Sequence, residues 1–181
     1  VIYVEAMISS THAKLQGMTY DSFLEGVIEG ANQAREEFGI VSKYIMNGIR
    51  HLGPDSVFQT AEEVLNNPHF DLVGFGLAGD ELHFPAKLFT KTFDILKKEN
   101  FPITIHAGEW DGPQSIRDAI NLLHAKRLGH GVRCIEDPDL VEELRNSDIV
   151  LETCPTSNVA TKIYPSYEGH PVKELFNQGL K

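Results

Sequence analysis

DLVGFGLA, residues 71–78, and DIVLETC, residues 148–154, are short apolar runs with almost no polar alternation. A strand covered on one face alternates apolar and polar side chains, whereas a strand covered on both faces is apolar almost throughout. Both runs therefore predict a parallel sheet flanked by helices. Outward from them, strands are expected at Ile2–Ile8, Val41–Ile49, Asp71–Leu77, Ile103–His106, Arg127–Gly129 and Ile149–Thr153. Helices are expected at Tyr20–Phe38, Ser56–Asn66, Pro85–Lys98, Pro113–His124, Pro138–Asn146 and Pro171–Asn177. Leu24, Val27, Ile28, Ala31 and Ala34 form one apolar stripe at helical spacing. Asp137-Pro138 pairs an N-cap with a proline at the first helical position, Gly112-Pro113 and His170-Pro171 repeat the proline start, and Gly179 is a stop signal.

The result is six consecutive βα units in a single domain over residues 1–181. An open doubly wound sheet would be complete at this length, while a closed (β/α)8 barrel needs two more units. Length alone thus favours the open sheet. The net charge of −10 argues against a nucleic-acid partner, and no apolar run is long enough to span a membrane. The start, VIYVEAMISS, has no basic segment before its apolar residues, so no signal peptide is expected. It also lacks an initiator Met, as an internal fragment would. Cys134 and Cys154 suggest no disulfide framework and suit a reducing cytosolic setting.

The residues able to do chemistry share one address, the C-terminal end of a predicted strand, where α/β folds build their sites. ITIHAGE delivers His106, and the small Ala107 and Gly108 let Glu109 fold back beside it. An imidazole is a good zinc ligand, and a carboxyl beside it can move protons. Trp110 is expected to shield Glu109 and raise its pKa. RLGHGVRC sets His130 between two glycines, where an imidazole can stabilise developing charge. GFGLAGDE places Gly79, whose N–H can meet a flat heterocycle, ahead of Asp80 and Glu81. In LETCPTSN, Cys154 reads as packing, while Ser157 and Asn158 can supply hydrogen bonds to a pocket. His12, His51, His69, His83, His124 and His170 have no ligand-like spacing and are read as exposed or capping residues. By itself each segment reads as an ordinary βα loop, a simple turn or a core histidine.

In order, LAGDE, HAGE, LGHG and CPTSN over Leu77–Asn158 resemble the adenosine deaminase family, and the likeness extends more loosely to both ends of the chain. The resemblance implies a TIM barrel of which these are strands two to seven, lacking the first and the last. It implies a Zn2+-dependent, cytoplasmic enzyme of purine salvage that hydrolyses adenosine or 2'-deoxyadenosine to the inosine product and ammonia. Carried over by position, His106 matches a zinc ligand and Glu109 the proton donor to purine N1. His130 matches the histidine that orients the attacking hydroxide, and Gly79 the glycine that contacts N3.

The departures carry weight. No His-x-His pair supplies the family's two other histidine ligands, and the paired Asp of the last strand is missing. The isolated chain is therefore expected to be inactive, to expose sheet edges and to self-associate. Gly76 stands where members often have Asp, which weakens one polar contact in the pocket. An adenine deaminase of the same superfamily is the nearest alternative. A non-catalytic protein on the same sheet and a metal-dependent amidohydrolase with another substrate also stay open. The small zinc deaminases that act on flipped bases are disfavoured, because H-x-E with P-C-x-x-C is missing.

Overall fold

A computed structural model describes all 181 residues. Its six strands are β1 (Tyr3–Ile8), β2 (Val41–Ile49), β3 (Leu72–Ala78), β4 (Ile103–Ala107), β5 (Arg127–His130) and β6 (Val150–Glu152). They form one parallel sheet in sequence order. The helices are α1 (Thr11–Leu15), α2 (Tyr20–Phe38), α3 (Pro54–Asn66), α4 (Thr90–Lys98), α5 (Pro113–Asn121), α6 (Pro138–Arg145), α7 (Pro155–Ala160) and α8 (Val172–Asn177).

Local chemistry sets these boundaries. Thr19 Oγ1 accepts the Ser22 N–H at the start of α2, and Gly39, at φ 71°, ends the helix in the left-handed region. The single helix expected over Pro85–Lys98 is a 3-10 turn (Ala86–Phe89) followed by α4. The helix expected to reach His124 stops at Asn121, and His124 itself has φ 59°. Helices α1 and α7, of five and six residues, are too short to display a sequence period.

The core lies between the sheet and its helices. Phe75, Ile105 and Leu128 of consecutive strands are fully buried with Phe89, Phe93, Ile116 and Leu140. Phe75 meets Phe93 edge-on, with ring centroids 5.9 Å apart. Burying each such side chain contributes about 1.5–3 kcal/mol.

The sheet is not open and flat. In a flat sheet, β1 and β5 would stand roughly 19 Å apart, four strand spacings. Yet Arg127 of β5 donates to Glu5 of β1, and it also pairs with Glu152 of β6. A cavity of about 290 Å³ draws its walls from all six strands: Glu5 and Met7, Asn47, Leu77, Thr104 and His106, Gly129, and Glu152. The strands curl around a common interior, so the fold is six βα units of a (β/α)8 barrel. The length-based preference for an open sheet fails because length carries no information about curvature. No helix is long and apolar enough to cross a membrane.

Asp137 caps α6 as the sequence predicts, accepting the N–H groups of Asp139 and Leu140, and it also takes a hydrogen bond from Arg117. Arg117 first, then the backbone donors, holds its carboxyl below the usual carboxylate value. The native state therefore binds this proton less readily than the unfolded chain. Its stabilisation is complete above the ordinary Asp pKa and is lost as pH falls through the lower native value. Asp137→Asn is expected to flatten the acid side of a melting-temperature profile; an unchanged profile would remove Asp137 from the acid response.

Candidate active site

Three of the candidate side chains meet where β4 and β5 end. The register pairs His106 with Gly129 and Ala107 with His130. Gly129 carries no side chain against His106, and His130 adopts φ 68°, a left-handed conformation uncommon outside glycine. The two rings then lie 4.6 Å apart, centroid to centroid. Glu109 folds back between them: Oε2 lies 3.3 Å from His106 Nε2, and Oε1 lies 3.4 Å from His130 Nδ1.

The 108–111 loop that aims Glu109 is held by Glu81, which is only 2% exposed. Glu81 Oε2 accepts the Gly108 N–H (2.9 Å) and the Ser115 hydroxyl (2.7 Å). Its Oε1 accepts the N–H groups of Glu109 (2.9 Å), Trp110 and Asp111 (3.0 Å). Arg50, the residue after β2, braces the end of β4. It is 1% exposed and donates from Nη2 to the His106 carbonyl (2.9 Å) and from Nη1 to the Phe84 carbonyl (2.7 Å). Burial pulls the guanidinium down to about 10, which still leaves it charged at neutral pH.

On the other side, Asn158 within α7 is fully buried. Its Nδ2 donates to Glu109 Oε1 (2.8 Å) and lies 3.1 Å from His130 Nδ1, while Oδ1 meets His170 Nε2 at 2.9 Å. His170 is 5% exposed, so its reading as an exposed residue is overturned. The capping half of that reading holds, since His170 Nδ1 accepts the Val172 N–H at the start of α8.

The electrostatics correct one expectation. Trp110 is 45% exposed. Burial of Glu109 pushes its carboxyl up, but the imidazoles of His106 and His130 and the Asn158 amide outweigh it and hold the carboxyl low. Burial, reinforced by His106, pushes the His130 ring down. Cys154 is also reassigned. It is exposed and lines the cavity with His106 and His130 rather than packing in the core. Burial of its sulfur, then Glu109 and Glu152, pushes the thiol up, away from nucleophilic use.

The donor set fits a metal ion. The ligand atoms of His106, Glu109 and His130 lie within 4.8 Å of one another. His106 Nε2 is buried and, although close to Glu109, has no hydrogen-bonding partner, as a nitrogen reserved for a ligand would be. Gly79 sits around the corner, at φ 100°, on an adjoining cavity with Asp80 and Trp110. His106 is a wall of both cavities. A Cβ on Gly79 would come 3.0 Å from His51 Nδ1, so bare backbone is what fits there.

The sequence profile described as adenosine deaminase matches residues 1–181. The chain belongs to this family. It is 41% identical over 180 residues to an adenine deaminase of Sinorhizobium medicae (strain WSM419), covering 99% of this chain and 56% of that one. The chain thus spans little more than half the length of the curated relatives it matches. The crystal structure of an adenine deaminase from Arthrobacter aurescens superposes with a TM-score of 0.92 at 27% identity, covering 99% of this chain and 54% of that one. An amidohydrolase from Burkhoderia ambifaria, solved with bound Zn, gives 0.92 at 25% identity, covering 100% and 51%. The curated relatives carry the name that the sequence placed second, adenine rather than adenosine deaminase.

Within this family member, Gly76 has a structural reason. A Cβ there would fall 1.9 Å from Asn47 Oδ1, so the Asn47 amide on β2 occupies the space that a side chain at 76 would take. Gly76→Asp alone is expected to lose about 1–3 kcal/mol of stability by overpacking. Adding Asn47→Ala should recover most of it in urea unfolding. Equal losses for the single and double variants would mean that Asn47 is not the obstacle.

Sequence reasoning missed Glu81, His170 and Arg50 as parts of the site. Glu81 and Arg50 had a usable signal, since each is a charged residue within a few positions of the end of an apolar strand. His170 had only its proline neighbour.

Proposed function

We propose that the full-length protein hydrolyses the exocyclic amine of adenine, giving hypoxanthine and ammonia, and that this chain supplies the proton-transfer half of the active site. The observation that carries the reading is the convergence of His106, Glu109 and His130, with ligand atoms within 4.8 Å of one another, in a family member whose curated relatives are named adenine deaminase.

His106 would be one ligand of a Zn2+ ion, with further ligands from outside these 181 residues. When bound, such an ion supplies a water acidic enough to attack at neutral pH. The rest is the work of this chain. Glu109, ionised between the two imidazoles, first takes a proton from the attacking water and then passes it to purine N1, which makes C6 electrophilic. His130 orients the attacking oxygen, Gly79 offers its backbone to the ring edge near N3, and Arg50 and Glu81 hold the groups in place. The ammonia leaves once the amine nitrogen has taken up the proton of the added hydroxyl, whose oxygen becomes the product carbonyl as the C6–N bond breaks.

Ammonia release by the full-length enzyme, assayed with adenine and with adenosine, tests the substrate. A higher kcat/KM for adenine is expected; preference for adenosine would reverse the assignment. The 181-residue chain should show no turnover with either, because a catalytic zinc needs more protein ligands than His106 provides. With Val1, Ile2, Tyr3, Val4 and Met7 exposed along the β1 edge, the isolated chain should also self-associate, which sedimentation at rising concentration reads directly.

A further inference from the structure

We infer that a one-way line of hydrogen bonds, anchored on the backbone of α8 and passing through His170 and Asn158, fixes the neutral His130 ring with its proton on Nε2. In this state His130 faces the reacting groups as a hydrogen-bond donor rather than as a proton acceptor. The inference builds on the site reading above and adds two positioning residues to it.

The direction starts at a group that cannot be reversed. A backbone N–H only donates, and that of Val172 points to His170 Nδ1 at 3.1 Å. His170 Nδ1 is therefore the acceptor nitrogen, and the ring proton sits on Nε2. At 2.9 Å, His170 Nε2 must then donate to Asn158 Oδ1. That contact settles the orientation of the Asn158 amide, which its own shape would leave open. Its NH2 faces the other way, towards Glu109 Oε1 at 2.8 Å and His130 Nδ1 at 3.1 Å. The amide carries two hydrogens, one for each neighbour. An N–H on His130 Nδ1 would confront the amide donor head to head, so Nδ1 accepts and Nε2 carries the proton.

All four groups are shielded, so the line is not diluted by water. Asn158 is 0% exposed, Glu109 3%, His170 5% and His130 8%. In this surrounding a reversed hydrogen bond leaves two opposed donors with no water to relieve them. The same amide also pins Glu109 Oε1, leaving Oε2 as the oxygen nearer His106. Replacing His170 releases Asn158 to turn over, and the His130 tautomer and the Glu109 orientation go together.

Nitrogen-15 NMR of the metal-free full-length protein, labelled in histidine, reads this directly without substrate or turnover. The His130 signals are assigned by their loss in His130→Gln. In the wild-type chain, His130 Nδ1 is expected at the unprotonated position and Nε2 at the protonated one. Nδ1 carrying the proton would overturn the inference at once, whatever the variants do. In His170→Phe, which keeps a ring but removes the donor, a second His130 form protonated on Nδ1 should appear; an unchanged His130 pattern would overturn the relay. In the full-length enzyme, His170→Phe should lower kcat by about 10–100-fold with KM within about twofold. An unchanged kcat would show that the line has no catalytic consequence. The spectrum and the turnover are separate readouts, so a wrong substrate assignment leaves the NMR result standing.

Discussion

Glu109→Gln in the full-length enzyme is expected to lower kcat for ammonia release by about 10²–10⁴-fold, the usual worth of a positioned proton-transfer group. Glutamine matches the side chain in size and can still accept the Asn158 amide through its oxygen. It cannot hold a proton for transfer, and no second carboxyl joins the cluster of His106, Glu109 and His130. The loss should therefore appear in kcat rather than in KM, with thermal stability close to that of the parent. Release of the negative charge between two imidazoles should also let the His130 ring titrate lower, since Glu109 is the first of the charges that raise it. A variant retaining more than about a third of the parental kcat would remove Glu109 from the chemistry.

Glu81→Gln is expected to do the greatest damage to stability. Both oxygens of Glu81 are filled by donors alone: four backbone N–H groups and one hydroxyl. Glutamine changes almost nothing in volume but turns one oxygen into an NH2 that must face donors. If it stands at the Oε1 position, the N–H groups of Glu109, Trp110 and Asp111 lose their acceptor. At the Oε2 position, Gly108 loses its acceptor while the Ser115 hydroxyl can turn and accept. The second arrangement is the less costly, and it still strands one buried N–H. With hydrogen bonds to a charged acceptor worth about 1.5–3 kcal/mol, the loss should reach about 3 kcal/mol or more. The 108–111 loop should then show faster amide hydrogen exchange, and Glu109 should lose its aim. A melting temperature unchanged from the parent would mean that the loop holds itself.

How far the sequence reaches is clear from particular residues. The strand ends were legible because apolar runs stop where Gly and charged residues begin, and this put His106, Glu109 and His130 at one edge before any coordinates. Helix α6 was legible from the Asp137-Pro138 pair, because capping is local chemistry. The missed parts depend on contacts between distant segments. Glu81 serves a loop 27–30 residues away, and Arg50 holds His106 across 56; Asn158 was legible as a hydrogen-bonding residue, but not its partner Glu109, 49 positions away. A local window shows a residue's type but not its partner. The curl of the sheet was hidden for the same reason, although a charge inside each of three short strands, Glu5, Arg127 and Glu152, was its trace in the sequence.

The ion pair of Arg127 with Glu5 spans 122 positions of chain. Every strand otherwise pairs with its neighbour in sequence, so the sheet can lengthen one βα unit at a time as the polypeptide leaves the ribosome. Arg127 arrives only with β5, and loop-closure entropy makes its pairing with Glu5 a late event in assembly. A nascent chain stalled before residue 127 therefore holds a sheet that has not yet gained this brace across its concave side, and it is in this interval that chaperones have the most to protect.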